Sequence, residues 1–150
     1  MNTIAEMITC RIAATEEIIS LRAAELRKGK PGESARFPED ELKTTIHYGA
    51  FLHGRPASCL TLIRNPESAV PTWQLRGMAT DSRLQRQNLG STLWSYVESD
   101  LRSRHPVFRI WCNARVNAVP FYTKLGFTVI SGSFHIPSIG LHYKMEKTFL

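Results

Sequence analysis

The chain has 150 residues, which is the length of one domain that can bury a substantial core. Its apolar and charged shares, 43% and 21%, are ordinary for a soluble globular protein. Residues 1–75 carry nine basic and nine acidic side chains, so the whole net charge of +6 lies in residues 76–150. The positive electrostatic potential of this half favours a polyanionic ligand. Nucleic acid is disfavoured as that partner, because the basic residues form no dense run and are not interleaved with aromatic residues.

Three further features narrow the class of protein. No apolar run approaches the roughly 20 residues that a bilayer-spanning helix needs, and the N-terminus lacks the basic and apolar regions of a signal peptide. Cys10, Cys59 and Cys112 are odd in number and lie far apart, which predicts buried thiols in a reducing compartment. Since neither C-x-x-C nor H-x-x-H spacing occurs, we expect no metal site. We therefore expect a cytoplasmic protein of one domain, residues 1–150, with no membrane partner.

The first elements in chain order are a strand and a helix. Alternating apolar residues over Ile8–Ile12 indicate the strand. Thr15 is placed to cap a helix that starts at Glu16 and runs to about Arg27.

A turn and a hairpin are predicted next. Pro38 and Asp40 favour a turn before a short helix over Glu41–Thr45. The apolar stretches His47–His53 and Ala57–Arg64 are joined by a G-R-P linker, which is typical of a hairpin.

The second half of the chain alternates strands and helices. An amphipathic helix ends near Arg104. Apolar runs predict strands over Trp73–Thr80, Val107–Cys112, Phe127–Ile130 and Leu141–Met145. This order indicates a mixed α/β layer architecture.

A short helix before Leu125-Gly126 contains a local conflict. Gly126 suits the left-handed position after a helix end. Pro120 is tolerated only in a first turn or at a kink. The helix therefore either starts late, with Asn117 as its cap, or starts near Ala114 and bends at Pro120.

The turn Gln85–Gly90 joins a strand directly to the start of the amphipathic helix. Main-chain N–H groups at a helix start have no internal partner and carry partial positive charge. A strand–turn–helix joint of this composition is a candidate cradle for phosphate.

Two segments together resemble the GNAT superfamily of acyl-CoA-dependent N-acyltransferases. Gln85, Asn88 and Gly90 match the family's pyrophosphate motif, although the family usually has glycine where Asn88 stands. Asn tolerates a left-handed backbone better than most residues, so the turn can still form. The segment Asn113–Phe127 is similar to the family's final core motif, with Arg115 where many relatives have Asn. Other segments, such as Ile136–Tyr143, resemble a subgroup of stand-alone bacterial-type members.

The resemblance implies a fold and a cosubstrate. The expected fold is a mixed, twisted sheet of about six to seven strands with about four flanking helices. Its strands near 73–80 and 107–112 should run parallel and splay apart to admit the arm of acetyl-CoA. The residues expected to contact CoA are Met78, Ala79, Thr80, Gln85, Arg86, Gln87, Asn88, Leu89, Gly90, Ser91, Asn113, Arg115, Phe121, Tyr122 and Lys124.

The resemblance also implies a catalytic residue. Family members often place a tyrosine at the position of Tyr122 to protonate the departing CoA thiolate. A phenol with an ordinary pKa of about 10 is protonated at neutral pH and can donate this proton. Amides of the strand that holds Met78 and Thr80 would polarise the thioester carbonyl.

The general base and the acceptor stay open at this point. Candidates for the base are Glu33, Asp40, His47 and His142. Arg22 and Arg27 share a helix near the expected acceptor side, where they either bind an acidic group of the acceptor or only solvate a helix face.

We expect transfer of an acetyl group from acetyl-CoA directly to a primary amine of a small molecule, a peptide N-terminus or a protein lysine. A rival from another class is a non-catalytic module that binds or senses acyl-CoA, because a fold does not guarantee a function. The sequence leaves dimerisation open.

Overall fold

The computed structural model describes residues 3–28, 30 and 32–150, with the backbone alone at 5, 32 and 33. Its helices are α1 (Ile4–Met7), α2 (Thr15–Leu26), α3 (Leu89–Arg104) and α4 (Val119–Lys124). Its strands are β1 (Thr9–Ala13), β2 (Ile46–Leu52), β3 (Arg55–Arg64), β4 (Thr72–Thr80), β5 (Phe108–Arg115), β6 (Thr128–Val129), β7 (Phe134–Ile136) and β8 (Gly140–Phe149). None of the helices described is long and apolar enough to cross a membrane.

All the described strands belong to one sheet. Its order is β1-β2-β3-β4-β5-β8-β6, with β7 paired to β8. The β4–β5 pair is parallel and the other pairs are antiparallel. The predicted mixed α/β sheet is confirmed. The described residues form eight strands instead of six to seven, because three-residue β7 is too short to give a periodic pattern.

Two apolar layers hold the helices to opposite faces of the sheet. On one face, α3 and α4 cover the larger core, which includes Leu62, Leu75, Val97 and Ile110. On the other face, α2 packs in a smaller cluster formed by Ile18, Leu21, Phe51, Cys59 and Ala79. The cysteines at 59 and 112 are buried, that at 10 is half-buried, and all three are free thiols.

The sheet opens between its two parallel strands, as predicted. Strands β4 and β5 pair only over Thr72–Gln74 and Arg109–Trp111. Beyond this point both strands continue for several residues without pairing to each other. A β-bulge in β4 helps to separate them. Strand β3 pairs with Arg76 and with Ala79, but only one residue of β3 lies opposite the two β4 residues between them. One of these two is Gly77, whose φ is +62°.

Three local predictions at the N-terminal side are wrong. Helix α2 begins at Thr15 and not after it, and the Glu17 carboxylate caps the helix by accepting the Ala14 N–H at 2.9 Å. The Thr15 hydroxyl instead lies 3.0 Å from His47 Nε2. No helix forms over Glu41–Thr45 in the described structure; successive turns occur there. The Thr45 hydroxyl donates to the Glu39 carbonyl at 2.7 Å, a side-chain bond that competes with helical pairing.

The conflict at Pro120 is resolved in favour of a late start. Strand β5 runs on to Arg115, a 3₁₀ turn covers Val116–Ala118, and α4 then begins with Pro120 in its first turn. Ala118, and not Asn117, precedes the helix as its cap. Gly126 follows the helix with φ +96°, as its left-handed end requires.

A buried ion pair ties α2 to the loop before β2. The Arg22 guanidinium donates to the Asp40 carboxylate at 2.8 Å, and both side chains are almost fully buried. Arg22 also donates to the Ala35 carbonyl at 2.9 Å and to the Thr61 hydroxyl at 2.8 Å. The Phe37 N–H donates to the same carboxylate at 2.8 Å. Such a network is strongly destabilised when one charge is removed, because the other stays buried without a partner.

We expect Asp40→Asn to lower the free energy of unfolding by about 3–5 kcal/mol, measured by urea denaturation. The loss should shrink when Arg22→Met is added, because no guanidinium then remains uncompensated. Arg102→Gln removes a half-exposed partner of Glu98 on α3 and should stay within about 1 kcal/mol of wild type. Equal losses for Asp40→Asn and Arg102→Gln would contradict this account.

Candidate active site

The turn before α3 presents free main-chain donors. Arg86 and Asn88 adopt left-handed conformations, with φ +66° and +60°. Asn88 precedes the helix but makes no capping bond with its side chain. The first main-chain bond of α3 runs from the Thr92 N–H to the Asn88 carbonyl at 2.9 Å. The N–H groups of residues 89–91 therefore have no partner within the helix and can bind an anion.

A cavity of about 520 Å³ lies against this turn, and we call it the phosphate-side cavity. Phe121 and Met78 form part of its floor, since a Cβ on Gly90 would lie 3.4 and 3.5 Å from them. Most residues predicted to contact CoA line this cavity, namely Met78, Ala79, Thr80, Gln85, Arg86, Asn88, Leu89, Gly90, Ser91, Phe121, Tyr122 and Lys124. Gln87 is exposed on the turn and does not line it.

A second cavity, of about 430 Å³, fills the gap between the separated ends of β4 and β5, and we call it the cleft cavity. Residues of α2, β7 and β8 also line it, and α2 packs on the face of the sheet opposite α3. Asn113 and Arg115 line this cavity and not the phosphate-side cavity. The two cavities share three lining residues, Met78, Ala118 and Tyr122.

Tyr122 therefore stands where the two cavities meet. Its side chain is 7% exposed and packs edge-on against Phe121 and Phe127, with centroids 5.3 and 5.6 Å away. Burial, and to a lesser extent the Cys112 thiol, raises the pKa of Tyr122. Its hydroxyl has no hydrogen-bond partner among the described residues, so a protonated donor is available to a ligand.

Cys112 also lines the cleft cavity. Burial raises the pKa of this thiol to about 12. The group is therefore a neutral thiol at physiological pH.

His142 is the base candidate that the described structure brings to the cleft cavity. Its Nδ1 lies 2.7 Å from the Gly140 carbonyl oxygen, and because a carbonyl only accepts, Nδ1 is the donor; in the neutral ring Nε2 then keeps its lone pair. The ring stacks on Phe134, with centroids 6.0 Å apart. Nε2 has no hydrogen-bond partner in the part of the chain that is described.

The other base candidates are placed differently. Asp40 is held by Arg22 in the buried pair. His47 is buried between hydroxyl groups, with Nδ1 2.7 Å from Thr61 Oγ1. The side chain of Glu33 lies outside the described residues.

Arginine side chains line the cleft cavity at Arg27, Arg76 and Arg115. Arg22, which shares helix α2 with Arg27, is buried and does not line it. Sequence reasoning missed Arg76 and the bulge glycine beside it. A glycine inside a strand pattern indicates such a bulge, so both Gly77 and the adjacent Arg76 could have been singled out from the sequence.

Comparisons with known proteins agree with this architecture. The acetyltransferase (GNAT) domain family matches residues 34–149. YitI of Bacillus subtilis (strain 168), described as an uncharacterized N-acetyltransferase, is 32% identical over 147 residues, which are 95% of this chain and 97% of that protein.

Solved structures share the fold at low sequence identity. Escherichia coli ElaA superposes with a TM-score of 0.78 at 13% identity, over 94% of this chain and 99% of that one. An aminoglycoside 6'-N-acetyltransferase complexed with coenzyme A gives a TM-score of 0.74 at 16% identity, over 95% and 97%. The open parallel pair and these matches agree, and the chain belongs to the GNAT family of acyl-CoA-dependent acetyltransferases.

Proposed function

We propose that the protein transfers an acetyl group from acetyl-CoA directly to a primary amine. The observation that supports this most strongly is the meeting of two cavities at Tyr122. One cavity offers anion-binding N–H groups, and the other opens on the opposite face of the sheet. A cosubstrate and an acceptor that enter from opposite faces would meet in the gap between β4 and β5.

The phosphate-side cavity fits the pyrophosphate of CoA. The free N–H groups of residues 89–91 and the positive end of 16-residue α3 favour a polyanion there. The exposed side chains of Gln85 and Arg86 lie beside them. The gap beyond Gln74 leaves β4 main-chain groups free to hold an extended arm. Bound acetyl-CoA supplies an activated acetyl thioester.

Tyr122 acts as the general acid in this proposal. As the new carbon–nitrogen bond forms and the carbon–sulfur bond breaks, the Tyr122 hydroxyl gives its proton to the departing sulfur. Its raised pKa keeps the phenol protonated until that moment. Its burial also excludes water that would compete as proton donor or nucleophile.

His142 acts as the general base. Attack requires a neutral amine, so one proton must leave the acceptor nitrogen. The hydrogen bond from Nδ1 to the Gly140 carbonyl fixes the tautomer and leaves the Nε2 lone pair to take this proton, directly or through one water. Tyr122 and His142 both line the cleft cavity, which gives the acid and the base access to one acceptor.

We expect Tyr122→Phe to lower kcat for CoA release with an amine acceptor by roughly 10²–10⁴-fold. Its affinity for acetyl-CoA should stay unchanged in calorimetry, because the hydroxyl acts on the sulfur only as the carbon–sulfur bond breaks. Tyr96→Phe on α3, outside both cavities, is the matched control. CoA binding by the wild type without turnover on any amine would instead favour the sensing module.

The pH dependence of the wild type tests the same assignment. A proton donor works below its pKa, so a raised pKa extends its working range upward. Tyr122 should therefore cause no fall in kcat up to about pH 10. A falling limb centred near pH 10 that disappears in Tyr122→Phe would contradict the raised pKa.

The left-handed Asn88 gives a second prediction. In Asn88→Val the turn relaxes, because a β-branched residue in this conformation costs about 1–2 kcal/mol. Binding must then restore the turn, and the affinity for CoA should fall about tenfold by calorimetry. Asn88→Gly accepts the same φ and should bind as the wild type does. Loss of affinity in both variants would show that the Asn88 side chain, and not the backbone, matters.

For the base, His142→Ala should lower kcat roughly 10²–10⁴-fold without changing the affinity for CoA. Added imidazole should restore part of the rate by occupying the vacated space. His135→Ala changes an exposed histidine of β7 outside the cavity and should leave the rate unchanged. A His142→Ala protein with the wild-type rate would remove this residue from the mechanism.

A further inference from the structure

The outer side of the cleft cavity is cationic. Arg27 at the end of α2, Arg76 on β4 and Arg115 at the end of β5 all line it. A neighbouring cavity of about 410 Å³ shares Arg27 and Arg115 and adds Lys28 and Lys30. The two cavities adjoin, because they share lining residues, and basic side chains line both.

These arginines lack strong counterions in the described structure. Among the described residues, Arg27 donates only to main-chain carbonyls, at 3.0 and 3.3 Å. Arg115 has neither an ion pair nor a side-chain hydrogen bond among the described residues. Arg76 stacks on Phe37 at 4.0 Å and lies 3.7 Å from Glu39, a loose and partly exposed contact.

Few of the described carboxylates line these two cavities. No described acidic residue lines the cleft cavity. Glu25 lines the outer cavity, where it lies 3.7 Å from Lys28 and accepts the Ser82 N–H at 3.0 Å. The pKa of Arg27 is lowered by burial first and then by Arg115, Arg76 and Arg22, so the cations repel one another. An anion between them would relieve that repulsion.

We infer that the acceptor is an amine that also carries an anionic group, a carboxylate or a phosphate, which Arg27, Arg76 and Arg115 bind. The inference rests on the proposed function and names its substrate class. Guanidinium groups match the two oxygens of such anions in a bidentate geometry. The same charges repel a polycationic acceptor such as an aminoglycoside, despite the fold shared with an aminoglycoside acetyltransferase.

The register of the sheet places the proposed base beside one of the arginines. Arg115 and His142 are direct cross-strand partners on β5 and β8. Such partners have Cβ atoms about 5 Å apart on one face of the sheet. This juxtaposition of the base and Arg115 favours an acceptor whose amine and anion are a few bonds apart, as in an amino acid or an aminoalkyl phosphate.

The test is a competition among matched acceptors with saturating acetyl-CoA. The acceptors are the pooled amino acids, the pool of their amides, phosphoethanolamine, ethanolamine and an aminoglycoside, with acetylated products measured by mass spectrometry. We expect kcat/KM to favour an anionic member over its neutral partner by about tenfold to a hundredfold. Whether the amino acids or phosphoethanolamine react identifies the source of the anion.

Variants then identify the residues that cause the preference for anionic acceptors. Arg27→Gln and Arg115→Gln should each reduce it about tenfold without changing the affinity for CoA, because neither residue lines the phosphate-side cavity. Arg27→Glu should move the preference toward neutral or cationic amines. Arg55→Gln removes the same charge from the exposed hairpin outside the cleft cavity and should leave the preference unchanged.

A binding experiment with reaction products tests this inference separately from the proposed function. N-acetyl amino acids and their amides are titrated calorimetrically into the CoA-bound protein. Tighter binding of the acids without turnover of any amine would support the anion site and contradict catalysis. Equal binding and equal turnover of acids and amides, faster transfer to the aminoglycoside, or a preference that survives every arginine variant would overturn the inference.

Discussion

The early end of pairing between β4 and β5 is the constraint on which the rest of the molecule depends. Main-chain groups inside a protein need partners, yet these strands pair over only three residues before they separate. The free edges are thus left to side chains, solvent or a ligand. Helices α3 and α4 cover one face and α2 covers the other, so the gap becomes a passage between two cavities.

The bulge at Gly77 and the buried Arg22–Asp40 pair maintain this opening together. A Cβ on Gly77 would lie 2.9 Å from Arg22 Nε, so the bulged strand lies directly against the guanidinium. Phe37 fills the space beside it, with its ring 3.9 Å from Arg22 and 4.0 Å from Arg76. An arginine that seemed available for substrate is therefore a structural support of β4. Arg76, on β4 itself, lines the cleft cavity in its place.

Sequence reasoning succeeded where structure is local. The amphipathic pattern of α3 is set by neighbours in the chain, so this helix was predictable from the residues themselves. The left-handed turn at Asn88 and the open parallel pair were instead expected from the family resemblance. Sequence reasoning failed where residues far apart in the chain determine the local structure. Thr15 bonds to His47, 32 residues away, instead of capping its own helix. Strand β5 extends to Arg115 and not only to Cys112, and this extension carries Asn113 and Arg115 to the cleft cavity. The apolar periodicity of the sequence does not show how far a strand continues after its pairing with a neighbouring strand has ended.

The buried thiol of Cys112 bears on which nucleophile can use an acetyl thioester. With a pKa raised to about 12, on the order of one molecule in 10⁵ carries a thiolate there at neutral pH. Thiolates exchange acyl groups with thioesters readily, and a reactive one in this cavity would divert acetyl groups onto the protein itself. Because burial keeps the sulfur protonated, this side chain would not compete with the amine acceptor of the proposed reaction. In that reaction the core would contribute chemical selectivity as well as stability.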